Sequence, residues 1–304
     1  REIFLLFPTL YSIFSIKKKI KKIHLIHFNE ITLVPTIFIF KFFFKVPFIL
    51  HCRILFNKKN FLGKKIINFL KKNVNQIIAI DNDVKNSLPK ELNIKIVRNI
   101  FFNKKIKLLS KNYNNEFLKL GYLGSFLKYK GVHDLIIVFN KLVKENYKIK
   151  LFLAGNFIKK NFLFNFFDLT NNIDKNLIKS KNIVFMGHID KLGKFYNNID
   201  VLCFPSYLNA LGRQIFEAAF YNIPSIVCLK KNKSDSFLNN KTGLSFRNPG
   251  SKKEIEKKIK YFYYNRKKIK KMGLNANRLV SRNFDIKKKL KVIKNIYRSC
   301  LKKN

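Results

Sequence analysis

The chain has 304 residues, enough for two medium-sized domains with their own hydrophobic cores, and its four cysteines form no Cys-x-x-Cys pair. Lys and Arg number 63 against 17 Asp and Glu, so a nucleic acid or an anionic membrane is the first partner class to weigh. The surplus is mostly Lys spread along the whole chain, with Asn, Ile and Phe enriched beside it. We therefore attribute most of the charge to a solvated surface and predict no specific nucleic-acid partner.

The first third of the sequence alternates short apolar runs with lysine-rich segments of helical spacing. The apolar runs lie at 23–29, 46–53, 75–80 and 94–99. Each is continuous and ends in a polar residue, which is typical of strands in a parallel sheet covered on both faces. The apolar stretches 1–16 and 35–50 are too short, or too interrupted by Lys and Pro, to predict a membrane span, so we expect helices there, the second followed by a buried strand. This order predicts an α/β domain.

The alternation stops in a polar stretch rich in Asn and Lys and then restarts. We predict a partial amino-terminal domain at 1–105, a linker at 106–117, a second α/β domain at 118–280, and a carboxyl-terminal helix at 281–304 that packs back on the first domain. Sheets of this kind bind ligands at the carboxyl ends of their strands. We therefore expect the site in a cleft that the two domains share.

The first candidate site is the loop after the predicted strand that ends at Gly124. Small residues there precede a helix, and Lys130 lies close by, so backbone N–H groups and a cation could together hold a phosphate. In so basic a chain, an ordinary surface lysine is the alternative interpretation.

The second candidate site joins a buried strand, a loop with Gly212, and a helix that carries Glu217 in its first two turns. Gly212 would let the backbone approach a ligand. A carboxylate in this place can accept two hydrogen bonds from a vicinal diol such as a ribose, each contributing about 1.5–3 kcal/mol. The alternative is an ordinary helix-terminal Glu, which stabilises its helix by about 0.3–1 kcal/mol through the dipole.

Five segments in order resemble one protein family. They are 120–142, 149–155, 182–206, 209–227 and 240–246. Together they are similar to the carboxyl-terminal domain of the family 4 retaining glycosyltransferases, whose GT-B fold has two Rossmann-like domains facing a cleft. Upstream segments such as "HLIHFNE" and "PFILHCR" resemble the later half of that family's amino-terminal domain. We therefore expect an amino-terminally truncated member.

The resemblance implies transfer of a sugar from a nucleotide-diphosphate donor with retained anomeric configuration. Glu217 falls at the second Glu of the family's Glu-x7-Glu motif, which implies binding of the donor ribose in the 118–280 domain. Lys130 matches the lysine of the phosphate-binding loop that starts at Gly124. His51 matches a histidine that ends an amino-terminal strand near the reaction centre, and it is our candidate catalytic residue.

The same motif implies roles for the loop before the helix. The backbone amides of Ala210, Leu211 and Gly212 fall where the family contacts the diphosphate or the sugar. The first Glu of the motif is replaced by Asn209, which we also predict at the catalytic centre. An amide there can hydrogen-bond sugar hydroxyls, but it offers no negative charge to a developing oxocarbenium ion.

Two further positions complete the predicted donor site. The arginine expected beside the loop glycine is Ser125, which removes a phosphate contact that Arg213 could replace. His188 follows a strand, and we expect it at the donor base. The other histidines, His24, His27 and His133, are expected to be structural. Because Asn209 and Ser125 depart from the motif, the alternative function is a donor-binding or membrane-associated scaffold without turnover.

The resemblance also implies partners and location. The substrate is a nucleotide-diphosphate sugar, the acceptor is a glycan or a lipid-linked molecule of cell-surface polysaccharide or lipopolysaccharide synthesis, and neither a cofactor nor a metal-binding Asp-x-Asp motif is expected. Four buried free thiols would fit a reducing cytoplasm. The basic amphipathic segment 15–25 could lie on anionic lipid at the inner face of the plasma membrane.

Overall fold

The computed structural model describes residues 6–56, 61–99, 115–157, 175–208, 210–231 and 233–302. The chain divides into two compact units. The first unit combines Arg1–Ile100 with Phe284–Asn304, and the second unit is Phe101–Asn283. Both are α/β with parallel sheets, as the sequence predicts. Most of the predicted linker lies outside the described residues.

The first unit alternates helices and strands. Its elements are α1 (Leu6–Lys19), β1 (Ile26–Phe28), α2 (Val34–Phe43), β2 (Phe48–Cys52), α3 (Phe61–Asn73), β3 (Gln76–Ala79), α4 (Asn82–Ser87) and β4 (Ile94–Ile96). The predicted strand at 94–99 is therefore shorter than its apolar run. Proline in the first turn of α2 fits a position whose N–H needs no partner.

The four strands of the first unit form a parallel sheet in the order β1-β2-β3-β4. Successive side chains of β2 point to opposite faces. Phe48, Leu50 and Cys52 enter a core that helices α1 to α4 share, whereas Ile49 belongs to a smaller cluster on the other face. His51 lies two residues beyond Ile49 and so shares that second face.

The second unit repeats the alternation around a larger sheet. Its elements are β5 (Leu118–Leu123), α5 (Val132–Lys144), β6 (Ile149–Ala154), β7 (Ile183–Gly187), α6 (Leu192–Tyr196), β8 (Val201–Phe204), α7 (Arg213–Phe220), β9 (Ser225–Cys228), β10 (Lys233–Ser234), β11 (Phe237–Leu238), β12 (Gly243–Phe246), α8 (Lys252–Tyr264) and α9 (Arg266–Asn283). The predicted helix at 191–200 is confined to the five residues of α6.

Six strands of the second unit form a parallel sheet in the order β12-β9-β8-β5-β6-β7. One apolar cluster fills the face under α5, α8 and α9, and another fills the face under α6 and α7. Strands β6 and β7 follow β5 on one side of it in the sheet, whereas β8, β9 and β12 follow one another on its other side. The topological switch therefore lies between β5 and β8, which is where such sheets open a ligand crevice.

The last helix, α10 (Ile286–Leu301), belongs to the first unit. Its buried Ile296 and Cys300 pack on Ile49 and Ile78 of the sheet. The side chain of Asp285 caps the helix by accepting hydrogen bonds from two backbone N–H groups. All four cysteines are buried and free, as predicted. None of the described helices carries an apolar run long enough to cross a bilayer.

Candidate functional site

The loops after β5, β6 and β8 lie against one another at the carboxyl edge of the larger sheet. Gly131 has a φ of 74°, and a side chain there would collide with the backbone carbonyl oxygen of Pro205. Gly155 has a φ of 138°, and a side chain there would collide with the carbonyl oxygen of Gly124. Glycine is the residue that tolerates both the positive φ and the close approach. These contacts bring the two predicted loops together at the switch point.

A hydrogen bond from the strand β5 fixes the loop that follows it. The hydroxyl of Tyr122 donates a hydrogen bond of 2.8 Å to the carbonyl oxygen of Ser125. A 3-10 turn, Lys128–Lys130, then leads to α5 through Gly131. Both features fix the backbone of the loop. Neither fixes the side chain of Ser125.

Lys130 is half-buried at the end of that turn. Its Nζ lies 5.1 Å from the centre of the Tyr129 ring. Burial lowers the pKa of Lys130, because desolvation penalises the ammonium charge. Among the described side chains no carboxylate forms an ion pair with Lys130, so its charge is available to an anion.

Glu217 lies in α7 with its carboxylate buried. Its Oε2 accepts a hydrogen bond of 3.0 Å from the hydroxyl of Tyr196 in α6, and its Oε1 lies 3.4 Å from Nε of Arg213. Desolvation raises the pKa of Glu217, while the hydrogen bond from Tyr196 and the charge of Arg213 oppose the rise. A carboxylate can accept about four hydrogen bonds, so acceptor capacity for a ligand remains.

Two aromatic residues that the sequence interpretation missed complete the surroundings of Glu217. Tyr196 supplies the hydrogen bond, and the ring of Tyr221 stacks on it with centroids 4.9 Å apart. The Arg213 side chain, the ion-pair partner of Glu217, is itself 74% exposed. The sequence signal was an aromatic pair, Phe195 and Tyr196, in a short amphipathic helix.

The loop before α7 carries no charged side chain at 210–212, so its backbone N–H groups are what it can offer a ligand. Ala210, Leu211 and Gly212 are half-buried, and Gly212 is the N-cap of α7 in an extended conformation. The helix therefore begins with backbone N–H groups that have no intrahelical partner. Asn209 lies outside the described residues.

Gln214 is a further residue that the sequence interpretation missed. It follows Arg213 in the first turn of α7, and its Nε2 lies 3.8 Å from the place where a side chain on Gly124 would begin. Its Oε1 is buried and has no hydrogen-bond partner among the described residues. The side-chain amide of Gln214 therefore lies between the two loops, and its Oε1 can still accept a hydrogen bond from a ligand.

A polar contact joins the two loops from the other side. The hydroxyl of Tyr207 donates a hydrogen bond to Oδ2 of Asp134 in α5, and the Tyr207 backbone N–H donates one of 2.9 Å to the carbonyl oxygen of Tyr129. Lys252 lies 3.6 Å from the other oxygen of Asp134. Desolvation and the neighbouring Asp134 raise the pKa of Tyr207 to about 12.

Two further predicted residues, His188 and His51, have surroundings of their own. His188 follows β7, the edge strand, and is exposed with its Nε2 3.5 Å from Asp190. His51 belongs to the first unit, where its ring stacks on His27 with centroids 5.6 Å apart. Burial, Arg53 and His27 lower the pKa of His51 to about 4. His51 is therefore a neutral imidazole near pH 7.

The sequence contains one Asp-x-Asp triplet, at 81–83. Its first residue, Asp81, is the N-cap of α4 and accepts a hydrogen bond of 2.7 Å from the backbone N–H of Val84. Asp81 therefore has a local structural role at a helix start. Within the described ranges, no three His, Cys, Asp or Glu side chains cluster as metal ligands would.

The sequence is similar to that of known proteins. The family described as glycosyl transferases group 1 matches residues 103–279. The capsular polysaccharide biosynthesis glycosyltransferase CapM of Staphylococcus aureus is 27% identical over 202 residues, which cover 65% of this chain and 49% of that protein. The chain thus spans about half the length of this curated relative.

Solved structures share the fold. Sucrose-phosphate synthase from Thermosynechococcus elongatus has a TM-score of 0.77 at 15% identity, over 96% of this chain and 78% of that one. Alr3699/HepE of Anabaena, solved with UDP and glucose, has a TM-score of 0.73 at 17% identity, over 94% of this chain and 81% of that one. The chain belongs to the group 1 glycosyltransferases, family 4, and has their GT-B fold.

Proposed function

We propose that the protein transfers a sugar from a nucleotide-diphosphate donor to a glycan or lipid-linked acceptor with retention of configuration and without a metal ion. Its expected place is the cytoplasm, at the inner face of the plasma membrane, in the synthesis of cell-surface polysaccharide. Membership of the family supports the reaction class. The name of CapM supports a role in polysaccharide synthesis.

The observation that carries the proposal is the buried carboxylate of Glu217. A buried carboxylate costs desolvation energy, and a purely structural residue at this position would avoid that cost. Tyr196 holds one oxygen of Glu217 by a hydrogen bond of 3.0 Å. The remaining lone pairs suit the two adjacent hydroxyls of a ribose.

The diphosphate is proposed to bind between the two loops. The unpartnered N–H groups at the start of α7 and the ammonium of Lys130 both favour negative charge. The amide of Gln214, which lies near Gly124 and Gly212, is proposed to contact the sugar or the phosphate. The UDP and glucose in Alr3699/HepE support a UDP-sugar as the first donor to test.

The proposed reaction needs positioning and charge stabilisation. The bond between the anomeric carbon and the β-phosphate oxygen breaks, and its electron pair stays on the departing diphosphate. Lys130 and the amides of α7 stabilise this growing negative charge. The acceptor oxygen bonds to the anomeric carbon on the same face, and its proton passes to the departing phosphate oxygen.

Calorimetry with UDP, GDP and ADP tests the proposal. We expect one nucleotide to bind in the micromolar to millimolar range, and the Glu217→Ala variant to lose about tenfold or more in affinity. Equal heats from the wild type and the variant would remove Glu217 from the site. Glu145→Ala, which removes an exposed carboxylate that pairs with Lys141 and Lys260 on the surface of the same unit, is the matched control and is expected to keep the wild-type affinity.

A second candidate function rests on Asn209. Without the carboxylate of the motif, the protein would bind the donor but not turn it over, as a scaffold of the same fold. Donor hydrolysis or transfer by the wild type and by Asn209→Glu separates the two functions. Wild-type turnover that depends on Lys130 supports the enzyme, whereas turnover seen only in Asn209→Glu supports the scaffold.

A further inference from the structure

Two histidines of the first unit lie next to each other on neighbouring strands. His27 of β1 pairs with Ile49 of β2, and residues opposite each other in paired strands point to the same face of a sheet. His51 lies two residues beyond Ile49 and so shares that face. The two imidazole rings stack with centroids 5.6 Å apart and an interplanar angle of 23°. The strand register therefore brings both rings together on the face that α10 covers.

The third member of the group is Tyr297 of α10. It follows Ile296, which packs on Ile49, and its ring meets the ring of His27 edge-on with centroids 5.7 Å apart. The Tyr297 hydroxyl and Nδ1 of His27 share a hydrogen bond of 2.6 Å. A hydrogen bond at one nitrogen of an imidazole fixes which nitrogen carries the proton and how the ring is turned. Tyr297 therefore sets both properties of His27.

Each of the two histidines has a buried nitrogen without a partner. The Nε2 atoms of His27 and His51 have no hydrogen-bond partner among the described residues, and His51 is only 8% exposed. An unpaired buried polar group costs free energy, so we expect these nitrogens to find a partner in the functioning protein. The neutral ring of His51 has one donor and one acceptor nitrogen. A hydroxyl, which can both donate and accept, suits Nε2 in either tautomer.

We propose that Tyr297 and His27 are positioning residues that hold the ring of His51 so that its Nε2 can hydrogen-bond a hydroxyl of the substrate. Tyr297 holds His27 by the hydrogen bond, and His27 holds His51 by ring stacking. None of the described residues holds Nε2 of His51 by a hydrogen bond, so the stacked ring is the contact that orients it. The inference rests on the proposed function, because it concerns the reaction for which His51 is the candidate catalytic residue.

Nitrogen NMR of the imidazole rings in the full-length protein tests these contacts without any substrate. The nitrogen chemical shifts distinguish a ring protonated at Nδ1 from one protonated at Nε2. The chain has five histidines, and the variants His27→Phe and His51→Gln assign the two sets of signals. We expect a single tautomer of His27 in the wild type and a mixture of both tautomers in Tyr297→Phe, and we expect the His51 signals to shift as well.

Tyr11→Phe is the matched control for the NMR measurement, because Tyr11 lies in the same unit and is 77% exposed. It makes the same chemical change and should leave the signals of both histidines unchanged. Unchanged His51 signals in Tyr297→Phe would overturn the proposal. Equal changes in Tyr297→Phe and Tyr11→Phe would also overturn it, because they would point to a general response of the unit.

A double-mutant cycle tests the effect on turnover of the donor. Tyr297→Phe and His27→Phe each remove the same hydrogen bond, and His27→Phe keeps an aromatic ring in the stack. We expect each variant to lower kcat about tenfold and to change the KM for the donor less than twofold. The double variant should lose no more than either single variant, because Tyr297 acts through His27. Losses that multiply to about 100-fold would overturn the proposal.

Two outcomes separate this inference from the proposed function. A wild type that turns over no donor would overturn the transferase proposal, and the NMR measurement would still decide whether Tyr297 and His27 hold His51. Wild-type turnover that neither Tyr297→Phe nor His27→Phe lowers would overturn the positioning role and leave the transferase proposal standing. Urea unfolding of each variant ensures that kcat is compared between folded proteins, so that lost stability is not mistaken for lost positioning.

Discussion

The hydroxyl of Tyr196 donates a hydrogen bond of 3.0 Å to Oε2 of Glu217, across the pair of helices that precede and follow β8. Glu217 would otherwise be a desolvated charge, since burial raises its pKa. The hydrogen bond favours the charged form, which is the form that accepts hydrogen bonds from sugar hydroxyls. Tyr196 is therefore a positioning residue for Glu217.

The first prediction concerns Tyr196→Phe. This change removes a hydrogen bond that lowers the pKa of Glu217, so the pKa rises further. The proposed nucleotide binding needs the carboxylate, so affinity should weaken as the pH falls through this pKa, and the loss should begin at higher pH in the variant. We expect affinity for UDP to fall about tenfold at neutral pH and more at lower pH.

Calorimetry at a series of pH values below and above neutrality checks this prediction. Tyr221→Phe is the control, because it makes the same change in the ring that stacks on Tyr196. If both variants show the wild-type pH dependence, Tyr196 does not position Glu217.

The second prediction concerns Lys130→Gln. The half-buried ammonium is proposed to contact phosphate, so its loss should weaken UDP binding about 10- to 100-fold and leave uridine binding unchanged. Lys128→Gln, in the same turn but exposed, is the matched control. Equal losses for UDP and uridine would show that Lys130 supports the loop rather than the phosphate.

Much of this fold follows from the sequence alone. Buried parallel strands such as 48–52 and 201–204 are continuous apolar runs, because both faces of each strand are covered. The place of Glu217 near a helix start also follows, since a strand, a glycine loop and an amphipathic helix are local patterns. These features need only the spacing of neighbouring residues.

The contacts of the site do not follow from local patterns. Tyr196 reaches Glu217 only because α6 and α7 pack on the same face of the sheet, and Tyr207 reaches Asp134 because β8 pairs with β5 rather than with β7. His27 and Tyr297, whose side chains are 2.6 Å apart, are separated by 270 residues. Strand order and helix packing decide these contacts, and one sequence does not encode them at short range.

The third prediction concerns the link between Tyr207 and Asp134. Tyr207→Phe removes the hydrogen bond that ties the loop after β8 to α5, so the two loops proposed to bind the diphosphate should lose their relative position. We expect about fivefold weaker binding of UDP with little change for uridine. Asp134→Asn keeps an acceptor for Tyr207 and is expected to retain most of the affinity.

The control for this prediction is Tyr147→Phe, which removes a hydrogen bond of 2.9 Å to Tyr264 on the surface of the same unit. This variant should change the affinity for neither UDP nor uridine. A similar loss of UDP binding in Tyr147→Phe would point to general destabilisation instead of loop positioning.

The fourth prediction concerns acid stability of the first unit. His51 faces His27 and Arg53, and Tyr297 contacts His27. The pKa of His51 is lowered from 6.5 to about 4, so the folded state binds a proton more weakly than the unfolded chain. The free energy of unfolding therefore falls as the pH drops from about 6.5 toward 4.

His51→Gln removes one of these titrations, so we expect a smaller loss of stability between neutral pH and about pH 4. His27, whose pKa is also lowered, accounts for part of the loss that remains. Urea unfolding at several pH values measures the effect. His24→Gln, at an exposed position, should keep the wild-type slope. An unchanged slope in His51→Gln would contradict a desolvated imidazole at this position.

The proposed role of Glu217 is tested most directly by comparing UDP with 2′-deoxy-UDP. Calorimetry on the wild type and on Glu217→Gln, which keeps the buried volume, yields all four affinities. We expect the wild type to bind UDP about tenfold or more tightly than the deoxy analogue, and the variant to discriminate less than about threefold. Equal discrimination by the two proteins would contradict the account that Glu217 holds the donor ribose.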